Sequence, residues 1–172
     1  MELVKVPTKE LDKVWGLIEK DIKQSLLFSG QLSNAEFVLK TAKEGKFQIW
    51  ILWDKIQKTN VEKYFGIVIT EIIEKPLGKV CHIFMMTGRQ RHKWQYLVTK
   101  DIEKFAQEEK CSMMELIARP GWQKVLNQFG YKRTHVVLEK QIKKNTNFVK
   151  QKLKQLRKKQ GKKKKKKKET NE

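Results

Sequence analysis

Residues 85–98 read MMTGRQRHKWQYLV. A short apolar strand runs into Gly88, the polar and cationic residues Arg89, Gln90, Arg91, His92 and Lys93 follow, and helix-period apolar positions begin at Trp94. A strand that turns tightly into a helix aims several backbone N–H groups and the positive end of the helix dipole at one point. That makes the stretch a candidate phosphate site. Arg89, Arg91 and Lys93 add side-chain charge that can meet phosphate oxygens directly. The alternative for the same residues is a solvated basic turn. Two other side chains are suited to moving protons near neutral pH. Glu71 follows the apolar run GIVIT, and His82 lies in the strand before the turn. Either can act as general base toward a substrate amine, directly or through water. Their plainer readings are a strand-end carboxylate at the rim for Glu71 and, for His82, a core or edge histidine satisfied by one hydrogen bond.

Alternating and apolar runs supply the elements that must position these groups. LVKVP (3–7) reads as a short first strand ending at a proline. Leu11, Val14, Trp15, Ile18, Ile22 and Leu26 then mark one face of a helix, with Thr8 as its expected cap. Ser33 is expected to open a second helix with Phe37, Val38, Thr41 and Ala42 inward and Gly45 as its stop. FQIWILW (47–53), YFGIVITEII (64–73) and VCHIFMM (80–86) read as three strands joined by short polar turns. After the basic turn, Trp94, Leu97, Val98, Ile102, Phe105 and Ala106 form a helical stripe, so Trp94 reads as core. MMELIA (113–118) is a strand, RPGWQKVLNQFG a short helix with Pro120 in its first turn and Gly130 at its end, and YKRTHVVLEK (131–140) a final strand. The order β-αα-βββ-α-β-α-β predicts a mixed, mostly antiparallel α/β sheet with helices on both faces.

Charge is concentrated at one end. Of 39 Lys and Arg and 19 Asp and Glu in the 172 residues, fifteen bases and two acids fall in 141–172, leaving that segment at +13 of the formal +20. Residues 141–160 keep a weak helical stripe, and 161–172 contain seven consecutive lysines whose mutual repulsion predicts disorder. Such a segment suits nucleic acid or another polyanion without base readout, with anionic lipid headgroups as a competing target and a solubilising disordered tail as the plainer reading. The two cysteines are not in a CxxC pair, and the three histidines show no paired ligand spacing. A disulfide framework and a metal site are therefore not expected. No apolar run reaches the ~20 residues that span a bilayer, and the first residues lack a signal-peptide pattern.

The element order, with a cationic turn between the fourth strand and the next helix, resembles the GCN5-related N-acetyltransferase (GNAT) superfamily over residues 1–140. The run KVLNQFGY (124–131) is similar to that family's LYxxxGF helix ending. The resemblance implies that the fourth and fifth strands splay apart and admit acetyl-CoA or another acyl-CoA. Met85, Met86 and Thr87 would then pair with the pantetheine arm, and Arg89, Gln90, Arg91, His92, Lys93 and Trp94 would face the pyrophosphate. It also implies acyl transfer to an amine, with Glu71 or His82 as the proton acceptor. Against the family signature Arg/Gln-x-x-Gly-x-Gly/Ala, Arg89 takes the first place, but His92 and Trp94 occupy the two small positions. A side chain there obstructs close approach of backbone to phosphate, so the expectation is a side-chain site rather than a backbone cradle. Leu126 stands where many members place a proton-donating tyrosine. Phrases such as FQIWILWD, GIVITEI and ARPGWQKVLNQFGYK resemble small GNAT-like proteins of tailed bacteriophages, including the podovirus group labelled internal virion protein A. That implies a host-cell cytoplasmic or virion location. It also keeps open a second reading, in which the fold is a scaffold and the tail binds DNA or another polyanion.

Overall fold

The computed structural model describes residues 1–29, 33–56 and 61–140. The basic extension at 141–160 and the lysine run at 161–172 lie outside the described residues. In chain order the elements are β1 (Glu2–Lys5), α1 (Leu11–Ser29), α2 (Ala35–Lys43), β2 (Phe47–Ile56), β3 (Val61–Lys75), β4 (Gly78–Gly88), α3 (Gln95–Glu108), β5 (Cys111–Leu116) and α4 (Gln123–Asn127). Short 3-10 turns precede α1, α3 and α4. The five strands form one sheet in the order β1-β2-β3-β4-β5. The first four pair antiparallel, and β5 joins β4 in parallel through the α3 crossover.

Each strand alternates its side chains between two apolar layers, which is why both faces are covered. Ile49, Ile51, Ile67, Ile69 and Met85 pack with Ile18, Ile22, Leu26 and Val38 of α1 and α2. Trp50, Leu52, Phe65, Val68, Cys81 and Ile83 pack with Trp94, Val98, Ile102 and Phe105 on the α3 side. Fully burying each such side chain stabilises by about 1.5–3 kcal/mol. Two buried polar groups inside the second layer find partners. The Trp50 indole N–H donates to Thr70 Oγ1 at 3.0 Å, and the Thr70 hydroxyl donates to Gln48 Oε1 at 3.1 Å. On the first layer, Tyr64 donates its hydroxyl to Asp21 Oδ2 at 2.8 Å, tying β3 to α1.

Several sequence expectations change at the element ends. Thr8 does not cap α1: it lies inside the preceding 3-10 turn, which makes no side-chain cap. Asn34, not Ser33, caps α2, with Oδ1 accepting from the Phe37 N–H at 2.7 Å. Phe37 is half exposed rather than inward, resting edge-on against Phe47. Gly45 ends the helix as expected, at φ +76°. The strand expected over 131–140 does not form. Among the described residues it joins no ladder, and Val136, Val137 and Leu138 are exposed. Alternation says which side chains would share a face, but it supplies no partner for the backbone. The chain divides here into two compact units, Met1–Lys132 and Arg133–Glu172.

Candidate functional site

Geometry begins with the strand that runs furthest. β4 pairs with β3 from Gly78 to Gly88 but with β5 only from Lys79 to Ile83, where the last pair is Ile83 with Leu116. Residues Phe84–Gly88 therefore present to the β5 side an edge whose N–H and C=O groups have no β5 partner. The parting coincides with a bulge. Ile69 faces Met85 and Thr70 faces Ile83, so Phe84 is an extra residue in β4. An extra residue bends its strand and sharpens the twist, which turns the end of β4 away from β5. Phe84 and Met85 both pack toward the α1/α2 layer, while Met86 returns to the α3 layer.

At the end of β4, two glycines face each other across β3 and β4. A Cβ on Gly66 would lie 2.4 Å from the Thr87 carbonyl oxygen, and one on Gly88 would lie 2.7 Å from the Phe65 oxygen and 3.2 Å from the Trp94 ring. Only hydrogen fits at these two positions. The turn then closes by Arg89 N–H donating to Phe65 O at 2.8 Å. Gln90 adopts the left-handed conformation, φ +53° and ψ +46°, and Arg91–Lys93 form a single 3-10 turn. Lys93 and Trp94 donate their N–H groups to Gln90 O and Arg91 O. Among the described residues, the N–H groups of Gln90, Arg91 and His92 meet no backbone carbonyl. A left-handed residue followed by a right-handed one points three successive N–H groups into one concavity, an arrangement that suits an anion.

Gln90, rather than a glycine at 92 or 94, gives this turn its left-handed residue. Trp94 does not occupy the ligand side of the turn. Its side chain is 2% exposed and packs in the α3 layer, with its indole N–H donating to the Arg89 carbonyl at 2.6 Å. It consumes an acceptor and leaves the three donors free. Arg89, Gln90, Arg91, His92 and Lys93 are all exposed. The Arg91 guanidinium stands over the Trp122 ring at 5.1 Å, joining the basic turn to the turn that follows β5. Trp122 is thus half-buried under a cation rather than fully in the core.

Glu71 and His82 are directly opposed across β3 and β4. They lie six residues below the turn along β4, roughly 20 Å away at the strand rise. Glu71 is not at a strand end, because β3 continues to Lys75. Among the described residues, the buried Nδ1 of His82 has no hydrogen-bond partner. Its neighbour on the other side is Glu115, directly opposed on β5, with Oε1 3.6 Å from His82 Nδ1. Glu115 was not legible as a site residue, because only strand register places it there. Lys75 Nζ lies 2.9 Å from Glu115 Oε2, and this contact holds the carboxyl below its ordinary range. Leu126 is buried and has no proton to offer. The nearby phenol is Tyr131, whose N–H donates to Leu126 O and whose hydroxyl reaches Met114 Sδ at 3.7 Å. Burial pushes the Tyr131 phenol up to about 12, so it stays protonated at neutral pH.

No family model matches the sequence, and no curated protein matches it. Solved structures do. The chain superposes on a probable acetyltransferase with a TM-score of 0.59 at 16% identity, over 83% of this chain and 97% of that one. Glucosamine-6-phosphate N-acetyltransferase from Arabidopsis thaliana gives 0.56 at 14% identity, over 82% and 97%. A predicted acetyltransferase from Clostridium acetobutylicum, solved with acetyl-CoA, gives 0.56 at 15% identity, over 81% and 95%. The β4–β5 parting, the bulge beside it and this agreement over 81–83% of the chain lead to one conclusion: the protein has the fold of the GCN5-related N-acetyltransferases.

Proposed function

We propose that the chain is an acyl-CoA-dependent N-acyltransferase encoded by a tailed bacteriophage. The observation that carries the activity is the end of β4–β5 pairing at Ile83 and Leu116 while β4 continues to Gly88. The residues present fit the cofactor. The unpaired edge of Phe84–Thr87 offers strand-type donors and acceptors to the amides of a pantetheine arm, as an exposed sheet edge does to an added strand. The N–H groups of Gln90, Arg91 and His92 suit the pyrophosphate, with Arg89 and Lys93 adding charge around them. The solved neighbour containing acetyl-CoA supports the same ligand here. When bound, acyl-CoA supplies an activated thioester carbon. The chain's own residues orient it, and His82, opposed to Glu71, takes a proton from the acceptor amine. The phage origin rests on the resemblance of phrases such as FQIWILWD and GIVITEI to small phage proteins.

Isothermal titration with acetyl-CoA tests this reading. Saturable heat is expected, and no heat at millimolar cofactor removes it.

A second reading has its own support. The 141–172 segment carries +13, and the turn departs from the family pattern at His92 and Trp94. In this reading the fold is a scaffold in a virion-associated protein, and the tail binds DNA or another polyanion through phosphate neutralisation. Deleting residues 141–172 should then abolish retention in a gel shift; unchanged retention would exclude the tail as the binding segment.

A further inference from the structure

We propose that Glu115 is a positioning residue for His82, fixing its tautomer so that Nε2 is the proton acceptor toward an amine arriving from the α1/α2 side of the sheet. The proposal rests on the acyltransferase reading above and adds a residue and a direction of approach to it.

Three titratable side chains form one row across the sheet: Glu71 on β3, His82 on β4 and Glu115 on β5. Directly opposed residues share a face, and this face is the one that carries α1 and α2, because Cys81 and Ile83, on either side of His82, pack in the α3 layer. The row sits one residue below the Ile83–Leu116 pair at which β4 and β5 part. It is therefore at the closed end of the opening, where a thioester carbonyl on an extended arm would arrive.

The two carboxylates are not equivalent. Glu115 Oε2 is engaged by Lys75 at 2.9 Å, which keeps the group ionised and leaves Oε1 turned toward His82 Nδ1 at 3.6 Å. A small side-chain rotation closes that distance to a hydrogen bond. Nδ1 is buried with no other partner, and a neutral imidazole facing a carboxylate places its proton on the nitrogen nearest the charge. Nε2 is then the lone pair available to substrate. The groups of charge around His82 are Glu115 from β5, Glu71 from β3, and Lys75 behind Glu115. The acids of α1, which packs on β4, are held by other partners: Asp12 by Lys43, Glu19 by Lys23 and Asp21 by Tyr64.

In the step itself, the neutral amine nitrogen attacks the thioester carbonyl carbon. The C–N bond forms and the C–S bond breaks. The surplus proton on nitrogen goes to His82 Nε2 and on to solvent, and the departing thiolate takes a proton from water. The imidazolium formed in between is stabilised by the carboxylates on either side.

The test uses the full chain with 15N-labelled histidine. NMR shifts of the His82 ring should report the Nδ1–H tautomer in the parent, and E115Q should move the ring toward the Nε2–H tautomer. In acyl transfer to simple primary amines, followed by thiol release, E115Q should lower kcat and leave the KM for acetyl-CoA unchanged. Acetyl-CoA heat should be unchanged in E115Q. An unaltered His82 tautomer in E115Q, with acetyl-CoA heat retained, would overturn the positioning role alone. Absence of acetyl-CoA heat in the parent protein would instead overturn acyl transfer, and the role of His82 as its base would go with it.

Discussion

Gln90 offers a direct handle on the phosphate-facing turn. Its φ of +53° is a conformation that costs a residue with a Cβ about 1–2 kcal/mol, more when the Cβ is branched. Glycine removes that cost but adds up to ~1 kcal/mol of unfolded-chain entropy. Gln90→Gly should therefore unfold within ~1 kcal/mol of the parent while keeping the turn. Gln90→Val penalises the left-handed conformation further, and the cheaper response is for the turn to leave it. The N–H groups of residues 90, 91 and 92 then no longer point the same way. If two of three charge-assisted bonds to a pyrophosphate are lost at ~1.5 kcal/mol each, CoA affinity falls by ~3 kcal/mol, on the order of 10²-fold. The assay is titration calorimetry with CoA beside urea unfolding on the same samples. Q90G should bind within threefold of the parent, and Q90V should bind about a hundredfold more weakly. Equal CoA affinity in Q90G and Q90V would refute the backbone site and return the binding to the arginine and lysine side chains.

Other predictions follow from packing and titration. Trp94→Phe leaves the Arg89 carbonyl without its indole partner and opens a void in the α3 layer, so the unfolding free energy should drop by ~2–4 kcal/mol. A loss below ~0.5 kcal/mol would contradict the buried hydrogen bond. Gly66→Ala brings a Cβ to 2.4 Å from the Thr87 oxygen, so it should lower Tm and broaden the amide signals of β3 and β4, whereas Gly16→Ala, with open space around it, should raise helix stability slightly. Burial raises the Cys81 thiol from 9.0 to about 12 and the Tyr131 phenol from 10.0 to about 12. Because these groups ionise more readily in the unfolded chain, their contribution is complete below pH 9 and declines as pH rises toward 12. Urea midpoints measured from pH 8 to 11 should fall, with a shallower fall in Cys81→Ala; a flat profile would exclude the effect.

The sequence exposed the sheet strands clearly, because β3 and β4 are nearly continuous apolar runs and the α1 stripe repeats at helical spacing. It also placed Trp94 in the core and Gly45 at a helix stop. The site was less visible for a specific reason. The parting of β4 from β5, the extra residue at Phe84 and the pairing of His82 with Glu115 are properties of register, which depends on two strands at once. Glycine 66 inside an otherwise apolar strand was a local sign of close backbone approach that alternation alone does not interpret. The left-handed Gln90 had no such sign, since its neighbours, rather than its own preference, hold it there. Ser33 and Asn34 are both capping types, adjacent in the chain, and residue type alone does not choose between them; the helix takes Asn34.

The surplus residue at Phe84 has a consequence for how this chain tolerates change. Upstream of it, odd-numbered positions of β4 belong to the α3 side; downstream, even-numbered ones do. Excising that phenylalanine would make the alternation regular and leave Met85 on the α1/α2 side and Met86 on the α3 side, where they already are. What the deletion removes is the local bend, so the packing of both layers would survive while the end of the strand would be free to run on beside β5.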